Sequence, residues 1–143
     1  MKSLVEKRGR IAKVRAIQKR VAELELANAD RRLQHIRGIV ERLATLKSGL
    51  SEVGAQTNGA SLAARSETNM RLNNASRATA VPLNEAIAGR ARKNAAMLAA
   101  HRTADGAETL LQRSTASFER AKETRTDANR VSRRSRFLGD GRS

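Results

Sequence analysis

The sequence predicts an all-α protein: a long antiparallel two-helix coiled-coil hairpin with a break or kink near Pro82. Three observations point there. Apolar residues recur at steps of three and four in both halves of the chain. A cluster of Gly49, Gly54, Asn58 and Gly59 separates the halves. Bulky core formers are scarce, with two Phe and no Trp or Tyr in 143 residues, while the 25 Ala are too small to fill a thick core. A globular α/β enzyme of this length carries more aromatic and β-branched bulk, so the composition suits a thin helical protein of one domain.

The first helix is expected over 3–50. Ser3 is a candidate N-cap, with Glu6 three residues on as its capping-box partner. Two apolar rows run through it. Ile11, Val14, Ile17, Val21 and Leu24 step by three and four. Ala22, Leu26, Ala29, Leu33, Ile36, Val40 and Leu43 follow with alternating steps of four and three, a period of 3.5 that underwinds a helix around a partner. Residues 51–60 read as the turn of the hairpin.

The second arm is expected over 61–131, with a break near 79–82. In 61–80, Leu62, Met70 and Leu72 make no sustained stripe. Pro82 disfavours helix in the residue before it and is tolerated in a first turn, so a helix should end or kink there and restart at Leu83. Met97, Ala100, Ala104, Ala107, Leu111, Ser114, Phe118 and Ala121 then keep a strict heptad. Extrapolation carries it back to Leu83 and Ala86 and forward to Arg125 and Ala128. The helix should fray after Val131, leaving residues 132–143 as a basic tail. A dimeric bundle competes with the hairpin, because a long two-stranded hairpin buries little surface per residue.

Charge is the other organising feature. There are 29 Lys+Arg against 14 Asp+Glu, a formal net charge of +15. Residues 1–20 hold eight Lys/Arg and one acid, and residues 125–143 hold six Arg and two acids, so the excess sits at the two ends. Folding the hairpin would bring those ends toward a common pole, with one end overhanging to the extent that residues 61–131 outnumber the first helix. Lys7, Arg8, Arg10, Lys13, Arg15, Arg133, Arg134 and Arg136 are therefore the candidate partner-binding residues, as a cluster rather than singly.

Catalytic, metal and cofactor-binding residues are assigned to none. The absence of Cys excludes a disulfide framework, a thiolate metal site and a Cys nucleophile. No G-x-x-x-x-G-K-[ST] loop occurs, and Gly139-Asp140-Gly141 follows no strand. His35 has no His, Asp or Glu at i+3 or i+4, His101 has only Asp105 at i+4, which suits a helix-surface hydrogen bond, and no Ser sits in a G-x-S-x-G elbow. Neither a membrane span nor an apolar signal core is found, so a cytoplasmic protein with no small-molecule substrate is expected.

Nucleic-acid binding is the alternative that the charge raises. Arg outnumbers Lys by 22 to 7, which suits phosphates and carboxylates alike. The chain has no aromatic platform for bases and no helix-turn-helix or zinc-finger pattern. A self-associating scaffold is a further alternative. The first helix also pairs Leu4, Val5, Ile11, Val14 and Ile17 with a Lys/Arg-rich face, as membrane-surface helices do, but without a Trp or Phe anchor.

The opening MKSLVEKRGRIAKVRAIQKRVAELELANADRRL, the Gly-containing break over 49–59 and the basic ending RVSRRSR together resemble the FliJ group of flagellar export proteins and their type III YscO-type relatives. The likeness spans nearly the whole chain, although this chain has no Trp or Tyr and is more basic and Ala-rich than many members. It implies a coiled-coil stalk similar to that of the F-ATPase γ-subunit. Such a stalk would insert its paired ends into the hexameric export ATPase, contact the export gate, escort substrate chaperones and sit peripherally at the inner face of the cell membrane.

Overall fold

The computed structural model describes residues 2–52 and 58–139. They form two helices, α1 (Lys2–Glu52) and α2 (Gly59–Gly139), packed against each other as an antiparallel hairpin with no strand among the described residues. Residues 53–57 of the expected turn lie outside the described residues. The helices close in on that turn from both sides, α1 ending two residues later and α2 starting two residues earlier than the sequence suggests.

Both ends at the turn are capped by identifiable groups. Asn58 is the N-cap of α2: its Oδ1 accepts from the Ser61 amide at 2.9 Å, and its carbonyl accepts from the Leu62 amide at 3.1 Å. Arg65, in the second turn of α2, donates from Nε at 2.9 Å and from Nη2 to the carbonyl of Leu50 in the last turn of α1. That carbonyl is one of those a helix C-terminus leaves without a partner, and a cation there also meets the negative end of the helix dipole. At the other end Ser3 is no cap, because α1 already includes Lys2 and places Ser3 in its first turn.

The contacts group into two units, Val21–Leu98 (the middle unit) and Met1–Arg20 with Ala99–Ser143 (the terminal unit). In the middle unit the row from Ala22 to Leu43 faces α2 as its period predicts. Leu33 and Ile36 are buried there with Ala86, and Leu83 packs on them. The seam runs further along α2 than the apolar pattern shows. Leu72, Ser76 and Thr79 are half-buried, and the Ser76 and Thr79 hydroxyls donate to the Leu72 and Ser76 carbonyls at 2.8 Å. Ser and Thr thus sit in the seam with their polar groups satisfied within the helix.

The break expected at 79–82 is absent, since α2 runs through Pro82 as one helix. Proline still removes the amide that would bond to the Ala78 carbonyl, a local penalty of about 3 kcal/mol. Seam residues on both sides, Thr79 and Leu83, hold the backbone helical against that penalty. The fraying expected after Val131 is likewise absent, as α2 reaches Gly139.

In the terminal unit the predicted heptad holds from Ala100 to Ala121, with Ala104 and Ser114 buried and the rest half-buried. Its forward extrapolation fails, because Arg125 and Ala128 are exposed. The facing residues of α1 are Val5, Arg8, Gly9, Ala12 and Lys19. They are not the row of Ile11, Val14 and Ile17 in the same stretch.

Candidate partner-binding surface

Cross-helix pairs fix the register of the terminal unit. Arg8 Nη1 donates to the Leu110 carbonyl at 3.3 Å, and a methyl group on Gly9 would meet Leu111 Cδ1 at 3.9 Å. The residue numbers of these pairs add to 118 and 120. Lys2 therefore lies opposite a residue near 117, while α2 continues to Gly139. Every residue from 122 to 134 is exposed. The end of α2 is a single helix that outruns its partner; residues 122–139 would span roughly 27 Å at 1.5 Å per residue.

This geometry divides the eight predicted binding residues into two groups and corrects the expectation of a common pole. Lys7, Arg10, Lys13 and Arg15 are exposed on α1 where it is paired with α2, and Arg15 donates to Gln18 Oε1 at 2.9 Å. Arg8 is different: the residue is half-buried and its guanidinium donates to α2, so it belongs to the helix–helix contact. Arg133 and Arg134 are exposed on the lone end of α2, well beyond the start of α1. Arg136 lies in α2, and its side chain is outside the described residues. The offset decides all this; the longer second arm points to an overhang, but its size was not legible because Arg65, Ser76 and Thr79 disguise the heptad that sets the register.

Two further features escaped the apolar pattern. In the middle unit, Asp30 pairs with Arg90, and Lys93 donates to Glu25 at 2.7 Å. Arg90 and Lys93 occupy heptad positions of α2, where charge hides the repeat from a hydrophobicity count. Beside them lies an open groove of about 750 Å³, with Ala29, Ala86 and Gly89 as small residues along it and Glu25, Arg32 and Arg92 among the charges. Arg90 and Lys93, which also line it, are engaged with Asp30 and Glu25.

Among the described residues, no group of three or more His, Cys, Asp and Glu could hold a metal ion. His35 is exposed on α1 and His101 half-buried on α2. No helix among the described residues is long and apolar enough to cross a membrane. No family model, curated protein or solved structure matches the chain. The dominant feature of the described surface is exposed cationic charge on helices.

Proposed function

We propose that the chain is a non-enzymatic coiled-coil stalk that docks the basic end of α2 on an acidic protein partner. One observation carries this: the arginine-rich end of α2 continues as a single helix past the start of α1, leaving Arg125, Arg130, Arg133 and Arg134 exposed. A lone helix is about 10–12 Å across, roughly half the width of a helix pair, and can enter an opening that the pair cannot. Its charge favours rapid, salt-sensitive association with an acid-lined surface. The resemblance to FliJ and YscO-type stalks supplies the identity of the partner in this reading: the hexameric export ATPase and the export gate of a flagellar or type III secretion system. The same resemblance places the protein in the cytoplasm, at the inner face of the cell membrane. Insertion by the single α2 end replaces the paired ends expected from the sequence.

The test replaces Arg125, Arg130, Arg133 and Arg134 with Glu and measures binding to the export ATPase, with helicity followed by circular dichroism. Unchanged helicity with at least tenfold weaker binding is expected, and wild-type-like binding would sink the proposal. The nucleic-acid alternative rests on the same arginines. It would be favoured if wild-type protein ignored the ATPase but bound duplex DNA with a steep log–log salt dependence.

A further inference from the structure

The hairpin uses the less apolar face of α1 in the terminal unit. Toward α2 it presents Val5, Arg8, Gly9, Ala12 and Lys19. The larger aliphatic residues point elsewhere: Leu4, Ile11, Val14 and Ile17 are 45, 53, 52 and 62% exposed. At 3.5 residues per turn these four fall within about 100° of one another, in a sector separate from the packed seam. Their spacing therefore describes a second coiled-coil seam on the same helix. The hairpin leaves it open.

We infer that this stripe binds an acidic amphipathic helix of a partner protein, which packs on α1 as a third strand. Three observations select that occupant. Lys7 and Arg10 lie inside the stripe and Lys13, Arg15 and Arg20 along its margins, all exposed. Lys13, Arg15 and Arg20 hold the flanking positions from which coiled-coil helices choose partners by charge. A second copy of the chain would bring the same sequence, in which residues 1–20 hold eight Lys/Arg and one acid, so like charges would meet across the seam. Residues 1–20 also contain no aromatic side chain. Ile and Val suit a helix–helix seam, whereas helices that lie on lipid commonly anchor through Trp or Phe.

This inference does not depend on the export-ATPase reading, because it concerns a different face and a different end of the chain. The experiment uses the full chain and a triple variant, Ile11→Gln with Val14→Gln and Ile17→Gln. The probe is a fluorescent 28-residue helical peptide with Ile and Leu at its a and d positions and Glu at e and g. A second peptide carries Lys in place of each Glu. Wild-type protein should bind the acidic peptide, and the triple variant should bind it at least tenfold more weakly with unchanged helicity. The Lys peptide should not bind, and 0.5 M salt should weaken the acidic complex. The variant with the four α2 arginines reversed should bind the peptide as wild type does, which separates this site from the stalk end.

Equal binding by the triple variant, or no binding of the acidic peptide by wild type, overturns the inference. So does a wild-type dimer in sedimentation that the three Gln substitutions dissolve, since the occupant would then be a second copy. Preferential binding to phosphatidylglycerol vesicles over the acidic peptide, abolished by the same substitutions, overturns it in favour of lipid.

Discussion

Lys93 of α2 donates a hydrogen bond to Oε2 of Glu25 in α1, 2.7 Å across the helix pair. The side chains are 47 and 48% exposed, so solvent screens the pair and its contribution is about 0.2–1 kcal/mol. Its larger consequence is for register. Asp30 and Arg90 repeat the arrangement nearby, and a slip of one helix would separate both pairs at once. Glu25→Lys and Lys93→Glu should each lower stability by about 0.5 kcal/mol, whereas the double reversal should return close to wild type. Urea unfolding of the four proteins measures this, and strictly additive losses would remove the pair from any role in register.

Leu33 is 5% exposed and packs with Ile36, Ala86 and Leu83. Ile11 is 53% exposed on the same helix. Leu33→Ala should cost about 2–3 kcal/mol, near the lower end for a buried Leu because a two-helix seam has few layers that a cavity can disturb. Ile11→Ala should cost less than about 0.5 kcal/mol, the usual range for a surface substitution. Thermal melts of the two single variants decide the matter. Similar losses would mean that Ile11 is buried in the isolated protein after all.

Pro82 sits inside α2, where it cannot donate to the Ala78 carbonyl. Pro82→Ala restores that bond and helix propensity at the expense of some contact made by the half-buried ring. The net effect should be a stabilisation of about 1–3 kcal/mol, seen as a higher denaturation midpoint. A destabilised variant would show that ring packing outweighs the missing bond.

Fold class, helix count and most of the seam were legible because two rows, Ala22 to Leu43 and Met97 to Ala121, keep a period of 3.5. The seam was lost where it is built of other residues: Arg8 and Lys19 are half-buried in it, and Ser76 and Thr79 return their hydroxyls to the backbone. A hydrophobicity pattern registers none of these as interior. Pro82 misled for a different reason, because its local penalty acts inside a helix held by tertiary contacts on both sides. The candidate residues Lys7, Arg10, Lys13 and Arg15 emerged from charge alone and are exposed as expected. Their separation from Arg133 and Arg134 could not be read, since helix offset depends on which residues pair across the seam. Choosing between the two apolar rows of α1 also required the partner helix, which takes Val5, Gly9 and Ala12 and leaves Ile11 and Val14 outside.

The unpaired end of α2 has a consequence for stability that its charge does not. In proteins most helical stability comes from tertiary packing of one face rather than from intrinsic propensity. Residues 122–134 are all exposed, so nothing from α1 supports them. Amides over 124–134 should therefore exchange with solvent much faster than those over 104–118, where Ala104 and Ser114 are buried. Ending the chain after Glu123 should leave the unfolding free energy within about 0.5 kcal/mol of the full chain, because the seam ends at Ala121. Helical ellipticity should fall only by the share of the removed residues. A loss of more than about 2 kcal/mol would show that the tail packs against the hairpin, and the single projecting helix on which the stalk proposal rests would be gone.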